Sequence, residues 1–307
     1  LNSVKSIVER MDNDELIRLA RQLEVSLTNR KIKRDLLVET IQSELEEHYR
    51  EGIPWKKTRL KDPAIQISSL TKKFGNTVAV RELNLVVRPG QIVGLVGPNG
   101  AGKTTTLRVL AGIIRPTEGS VRVNGFDMNL SPLKAKQRLG YIPERPTCYP
   151  NLKVREYLTF IAKIYRVPQI DAALRMREYV DLFQLDELLD AYIGTLSKGN
   201  LQRTLLVGIF VRPPPHILAL DEPIYGLDPR GAWSLKVLLK KLRDEGSAIL
   251  ISTHILEIAE GLCDRLVIMH EGDVVGKGTL EELLVQTPNA HTIEEIFLEL
   301  TGGIPET

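Results

Sequence analysis

Two stretches of this chain carry residue types that handle phosphate and a hard metal ion. Gly97-Pro98-Asn99-Gly100-Ala101-Gly102-Lys103-Thr104 fits the pattern G-x-x-x-x-G-K-[ST]. The glycines let successive backbone N–H groups curl round phosphate oxygens, because no Cβ stands in the way. A helix starting near Gly102 adds its positive N-terminal end. Lys103 offers a point charge to the β- and γ-phosphates, and the Thr104 hydroxyl is placed to ligate Mg²⁺. The second stretch, Ile217-Leu218-Ala219-Leu220-Asp221-Glu222, is an apolar strand ending in two carboxylates. Carboxylates there sit where ligands bind in open α/β sheets. Asp221 is assigned to the metal, directly or through water, and Glu222 to the attacking water. Phosphoryl transfer is mostly positioning and charge neutralisation, so these groups are nearly a full set. The bland alternatives are a Gly-rich turn that binds nothing and a plain polar turn before Pro223. The presence of both stretches in one chain argues for the chemistry.

The elements around these stretches have the periods such a site needs. Gln91 to Val96 is a compact apolar run leading into the glycines, and Thr104 to Ala111 reads as a helix. Ile65, Ile67 and Leu70 alternate, as do Leu83, Leu85 and Val87, so short strands are expected there. Glu118 to Asn124 alternates with Val121 and Val123 inward and Arg122 outward. Residues from about 150 to 195 are mostly helical. Three further apolar strands are expected at Ile217 to Leu220, Ala248 to Ser252 and Arg265 to Met269. Helical patterns at Arg230 to Glu245 and Ile255 to Leu262 separate them. This alternation implies a parallel sheet covered on both faces.

Composition narrows the class without naming a function. Lys plus Arg is 41 and Asp plus Glu is 39, a formal charge of +2, which offers no global field for nucleic acid or anionic lipid. Two cysteines, Cys148 and Cys263, cannot make a disulfide framework or a four-ligand zinc site. No apolar run is long enough to span a bilayer; Leu205 to Val211 is far too short. A soluble, intracellular protein of two parts is the expectation.

Other residues sharpen this into a resemblance. Leu196-Ser197-Lys198-Gly199-Asn200 resembles the LSGGQ signature of ATP-binding cassette (ABC) proteins. Gly226-Leu227-Asp228-Pro229 is similar to the D-loop of that family, and Ser252-Thr253-His254 to its switch histidine. Phe74, in TKKFGNTVAV, falls where the family places an aromatic that stacks on adenine. With the two stretches above, six elements agree in order and spacing, and residues from about 64 to 300 resemble the nucleotide-binding subunit of an ABC transporter. The fold implied is α/β: a P-loop NTPase cassette with a RecA-like parallel sheet core, an antiparallel β subdomain and a helical subdomain at about 145–200. The resemblance implies ATP and Mg²⁺ as ligands and ATP hydrolysis as the activity. Gly97 to Thr105, that is Gly97, Pro98, Asn99, Gly100, Ala101, Gly102, Lys103, Thr104 and Thr105, would bind nucleotide with Phe74. Thr104, Asp221 and Glu144 would hold the metal; Glu222, His254, Lys103 and Glu144 would act in catalysis. Ser197 and Gly199 would serve the opposite subunit of a head-to-tail pair, expected to be a homodimer. Residues 141–166 resemble the surface on which the family docks a polytopic membrane permease, and a helix is expected over Thr147 to Glu156. The chain would then work at the cytoplasmic face of a membrane through its partner.

Several positions depart from the family pattern. Glu144 stands where many members carry a Q-loop glutamine, as in the ABC-2 export-type branch. Lys198 replaces a glycine of the signature, Asn200 its glutamine, and Tyr225 a small residue of the D-loop. The tail Ile293 to Gly302 also resembles export-type endings.

Residues 1–51 form an extra helical module, and 52–63 a basic linker with Trp55, Lys56 and Lys57. Val4, Ile7, Val8 and Met11 recur at helical spacing, Asp12 and Glu15 fit a capping box, and Leu37, Ile41 and Leu45 share a face. A unit this small is expected to lean on the rest of the chain or on a partner. It faintly resembles SAP-like or Rho-N-terminal-like modules. The alternative function is therefore an ABC-type ATPase acting on nucleic acid or ribosomes through this module. Its 13 basic against 12 acidic residues through Asp62 leave that reading to local clusters such as Arg30, Lys31, Lys33 and Arg34.

Overall fold

The computed structural model describes residues 2–23, 33–49, 60–212 and 216–302. Arg30, Lys31 and the linker residues Trp55, Lys56 and Lys57 lie outside them. The strands are β1 (Ile65–Phe74), β2 (Thr77–Val87), β3 (Gln91–Val96), β4 (Glu118–Val123), β5 (Phe126–Asp127), β6 (Leu139–Ile142), β7 (Ile217–Asp221), β8 (Ala248–Thr253), β9 (Arg265–His270) and β10 (Asp273–Gly278). The helices are α1 (Asn2–Arg10), α2 (Asn13–Gln22), α3 (Arg34–His48), α4 (Lys103–Leu110), α5 (Pro132–Arg138), α6 (Val154–Ile164), α7 (Gln169–Phe183), α8 (Lys198–Val211), α9 (Pro229–Asp244), α10 (Leu256–Leu262), α11 (Leu280–Gln286) and α12 (Ile293–Thr301). The chain divides into two units, Leu1–Thr58 with Thr147–Pro214, and Arg59–Pro146 with Pro215–Thr307.

The second unit holds both sheets. One is antiparallel, in the order β2-β1-β4-β5. The other runs β10-β9-β3-β8-β7-β6, parallel except for β10 at its edge. β7 and β8 are buried at every residue, as strands covered on both faces must be. β8 lies between β3 and β7, with Val96 opposite Thr253 and Asp221 opposite Ser252. The C-terminal ends of three neighbouring strands therefore meet. The expected strands are present, with Val121 and Val123 buried and Arg122 exposed. β6 and β10 were not legible in the pattern. β6 is only four residues long. In β10 the alternation is broken by Gly276 and Gly278, where a Cβ would come within 2.5 Å of Leu300 and 2.8 Å of Glu282.

The first unit is helical. Asp12 and Glu15 form the expected capping box, with Glu15 N donating to Asp12 Oδ1 at 2.8 Å and Asp12 N to Glu15 Oε2 at 2.9 Å. Val4, Ile7, Leu16, Leu19, Leu37, Ile41 and Leu45 are buried together, and Leu174 of α7 completes their core. Three short helices cannot bury enough surface alone, so they take a face of α7. The contact is fastened at its edge by Arg177, which pairs with Asp181 at 2.9 Å, Asp186 at 2.7 Å and Glu15 at 3.6 Å. Arg10 meets Asp181 at 3.1 Å. At the far end the buried Tyr49 hydroxyl donates to Asp171. The helix expected over Thr147 to Glu156 begins only at Val154. Pro150 disfavours the helical conformation of Tyr149 before it; 147–149 are irregular, 150–151 turn, and Lys153 bridges to Tyr192.

Candidate functional site

The glycine-rich loop leaves β3 and enters α4. Gly102 caps α4 in the left-handed region at φ 103°, and a Cβ there would lie 2.4 Å from the Ala79 carbonyl. No side chain caps this helix, so its first N–H groups are left for an anion. Gly100, at φ 87°, faces open space where a side chain would otherwise stand. Lys103 is buried, and its Nζ donates to the carbonyls of Gly97 at 2.6 Å and Pro98 at 3.0 Å. Burial pulls its pKa below the usual lysine range, against the opposing pull of Glu222, Asp221 and Glu144.

Asp221 ends β7 with no exposed surface. Its Oδ1 accepts from Ser252 Oγ at 2.5 Å and from Thr104 Oγ1 at 3.1 Å. Its Oδ2 is buried without a hydrogen-bond partner. Burial raises the pKa of this carboxyl, the bonds from Ser252 and Thr104 oppose the rise, and Glu144 and Glu222 add to it. A buried carboxylate oxygen short of a partner, beside a threonine hydroxyl, is a fitting place for a small oxygen-seeking dication. The donor set is oxygen only, and among the described residues no group of three or more His, Cys, Asp or Glu forms a metal cage. That suits a magnesium ion, which keeps waters and takes its other oxygens from phosphate.

Glu222 follows with φ 50°, a left-handed backbone that is strained for a residue with a side chain. Its N–H donates to Ser252 Oγ at 3.0 Å. The Ser252 hydroxyl thus ties the two acidic residues together, donating to one and accepting from the other. The Glu222 carboxylate is itself buried, with His254 Nδ1 at 3.0 Å and Lys103 Nζ at 3.8 Å from Oε1. The His254 ring meets Tyr225 edge-on, with centroids 5.5 Å apart. Half-buried Glu144, just past β6, acts on Lys103 and Asp221 through its charge. Lys103, Thr104, Glu144, Asp221, Glu222 and His254 therefore form one cluster. Such a set of groups can grip a polyphosphate by backbone and lysine, hold a metal at Asp221, and present a carboxylate to water.

The remaining candidates have their own settings. Phe74 ends β1 with 51% of its surface exposed and Lys72 Nζ 4.8 Å from its ring centroid. Ser197 and Gly199 belong to the helical unit, where Ser197 caps α8 and accepts from Asn200 N at 3.3 Å. Cys148 and Cys263 have raised pKa values through burial, which fits inert thiols. Lys33 is the N-cap position of α3, and Arg34 donates to the Glu9 carbonyl at 2.9 Å and to Asn13 Oδ1 at 3.3 Å. The linking role of Ser252 was missed. No local signal marks it, because its partners stand 31 and 30 residues away in sequence.

Comparison with known proteins bears on the family and the fold. The family model described as "ABC transporter" matches residues 80–225. The Nod factor export ATP-binding protein I of Burkholderia lata is 34% identical over 75% of this chain and 75% of its own length. The solved structure of an ATP binding subunit of an ABC transporter is 32% identical, with a TM-score of 0.74 over 78% of this chain and 99% of the other. The dimeric structure of a bacterial ABC transporter cassette is 25% identical, with a TM-score of 0.64 over 70% of this chain and 98% of the other.

Proposed function

Because this chain belongs to the ATP-binding subunits of ABC transporters, we propose that it hydrolyses Mg²⁺-bound ATP within a head-to-tail pair of cassettes and so drives a membrane permease, in the direction of export. The observation that carries the reading is the buried Glu222 carboxylate held between His254 and Lys103. Bound at Asp221 and Thr104, Mg²⁺ supplies neutralisation of phosphate charge. Every other part falls to the chain. The N–H groups of Gly100 to Thr105 bind phosphate oxygens, and Phe74 covers the base. Lys103 moves from the carbonyls of Gly97 and Pro98 to the β- and γ-phosphates. Glu222 accepts the proton of the attacking water, and His254 fixes the Glu222 carboxylate while sensing the γ-phosphate. Glu144 holds water and metal at the edge of the site. Ser197 and Gly199 of one subunit close on the nucleotide of the other, so the active assembly is a dimer, in keeping with the dimeric relative above.

No helix among the described residues is long and apolar enough to cross a membrane; the permease is read as a partner of the cassette. The segment 141–166 is its docking surface at the cytoplasmic face. Tyr149, Phe160, Ile164 and Tyr165 are exposed there, and Tyr149 packs edge-on against Phe160 at 5.6 Å. Export is supported by Glu144 and by the relative whose name states export. Glu222→Gln tests the mechanism. It is expected to keep ATP binding, to slow hydrolysis by about tenfold or more, and to accumulate an ATP-bound dimer on gel filtration. Hydrolysis at the wild-type rate would refute the role of Glu222.

A further inference from the structure

One surface of the nucleotide-binding unit combines protruding apolar side chains with cations and takes no part in the chemistry above. It lies on the β4–β5 hairpin and α5. Leu130 and Leu133 are 84% and 77% exposed, and Ile113 is 58% exposed. Ile113 is drawn to the same face because Lys136 Nζ donates to the neighbouring Gly112 carbonyl at 3.0 Å. Lys134 Nζ and Lys61 Nζ stand 5.8 Å and 6.0 Å from the centroid of one ring, Phe126. Arg115, Lys136 and Arg138 are exposed as well.

Two carboxylates lie near this face in sequence. Asp127 accepts from the N–H groups of Asn129 and Leu130 at 2.9 Å and 3.1 Å. Asp62 pairs through both oxygens with Arg88 at 3.1 Å. Asp127 keeps its charge on the face, and the exposed cations Lys61, Arg115, Lys134, Lys136 and Arg138 outnumber it. Lys61 also closes the run Trp55-Lys56-Lys57-Thr58-Arg59-Leu60-Lys61, which has four cations and no acid. The described face begins where that run ends.

Cations alone would suit any acidic partner. The leucines decide between partners, because they stand out from the surface. A protruding leucine gains nothing from a rigid acidic protein surface, but it can enter a soft interface that also attracts lysine. We propose that the face formed by Lys61, Ile113, Phe126, Leu130, Leu133 and Lys134 binds the surface of an anionic lipid bilayer. The subunit reading above says only where such a bilayer would be met, and protein-free vesicles test the contact without a permease.

The experiment is co-sedimentation of the full chain with vesicles of phosphatidylcholine, with and without phosphatidylglycerol. Binding is expected only with the anionic lipid, and it should weaken as salt is raised. Each lysine contributes about fivefold to partitioning onto an anionic surface. Lys61→Gln with Lys134→Gln should therefore lower binding about 25-fold, and Leu130→Ser with Leu133→Ser about tenfold. ATP hydrolysis should be unchanged in both double variants and reports that they fold. Absence of binding to phosphatidylglycerol vesicles, equal binding to phosphatidylcholine alone, or undiminished binding by the variants would each overturn the proposal. Binding to soluble polyglutamate that the lysine variant loses, without binding to vesicles, would assign the face to an acidic protein instead.

Discussion

Asp221 and Asp171 are both buried carboxylates, at 0% and 7% exposure, and they sit in opposite kinds of surroundings. Asp171, in the helical unit, accepts from the Tyr49 hydroxyl and has the buried Arg175 close by. The partners of Asp171 lie within the protein, and burial with the nearby carboxylate drives the Tyr49 pKa far upward. Asp221, in the nucleotide-binding unit, has one oxygen doubly bonded and the other without a partner, and two carboxylates add to its burden. The first arrangement ties α7 to the residue that ends α3. The second leaves a buried oxygen unpaired. A buried acid that is short of partners marks chemistry, whereas one that is satisfied marks architecture.

That contrast can be broken by substitution on either side. The largest effect is expected at Lys103→Ala, which removes the only lysine of the phosphate loop. Hydrolysis should fall by about 100-fold or more, and titration with a fluorescent ATP analogue should show weakened binding while the fold is kept. Leu174→Ala, on the architectural side, opens a cavity under α1–α3 and should cost about 3 kcal/mol. Faster amide exchange across α1–α3 and α7, with unchanged nucleotide affinity, is the expected signature. A loss of nucleotide affinity would merge the two regions that the comparison separates. Tyr49→Phe should cost about 1.5 kcal/mol, seen as a lower denaturation midpoint with basal hydrolysis intact.

The smallest and most telling effect is at Asp221→Asn. The folded chain holds the Asp221 proton above the ordinary carboxylate range because burial disfavours its charge. Between the unfolded and folded pKa the folded state binds more proton, so this group's contribution to stability falls as pH rises through that window. Removing the charge should raise the thermal midpoint of the nucleotide-free chain by about 2 °C at neutral pH and flatten its pH dependence. A lowered midpoint would show that Asp221 is as satisfied as Asp171.

Much of the catalytic side was legible in the chain itself. Gly97 to Thr104 and Ile217 to Glu222 occupy the loop and strand end they suggested, because both are contiguous and their chemistry depends on local backbone. The core faces of the first three helices were legible for the same reason, since Leu37, Ile41 and Leu45 are all buried. What was not legible depends on residues far apart in sequence. Ser252 bridging Asp221 and Glu222, the strained φ of Glu222, and Tyr49 reaching Asp171 carry no local pattern. β10 was hidden because its glycines answer to α11 and α12 and not to a strand period.

The sequence by itself determined which groups could grip phosphate, metal and water, since contiguous residues and short periods specify local conformation. It also determined that three amphipathic helices precede the cassette. Only the tertiary structure decided that β3, β8 and β7 lie side by side, so that Lys103, Asp221, Glu222 and His254 come together. It also decided that α1–α3 complete their core on α7. Both outcomes follow from burial: parallel strands must be covered on both faces, and three short helices must find apolar surface beyond their own.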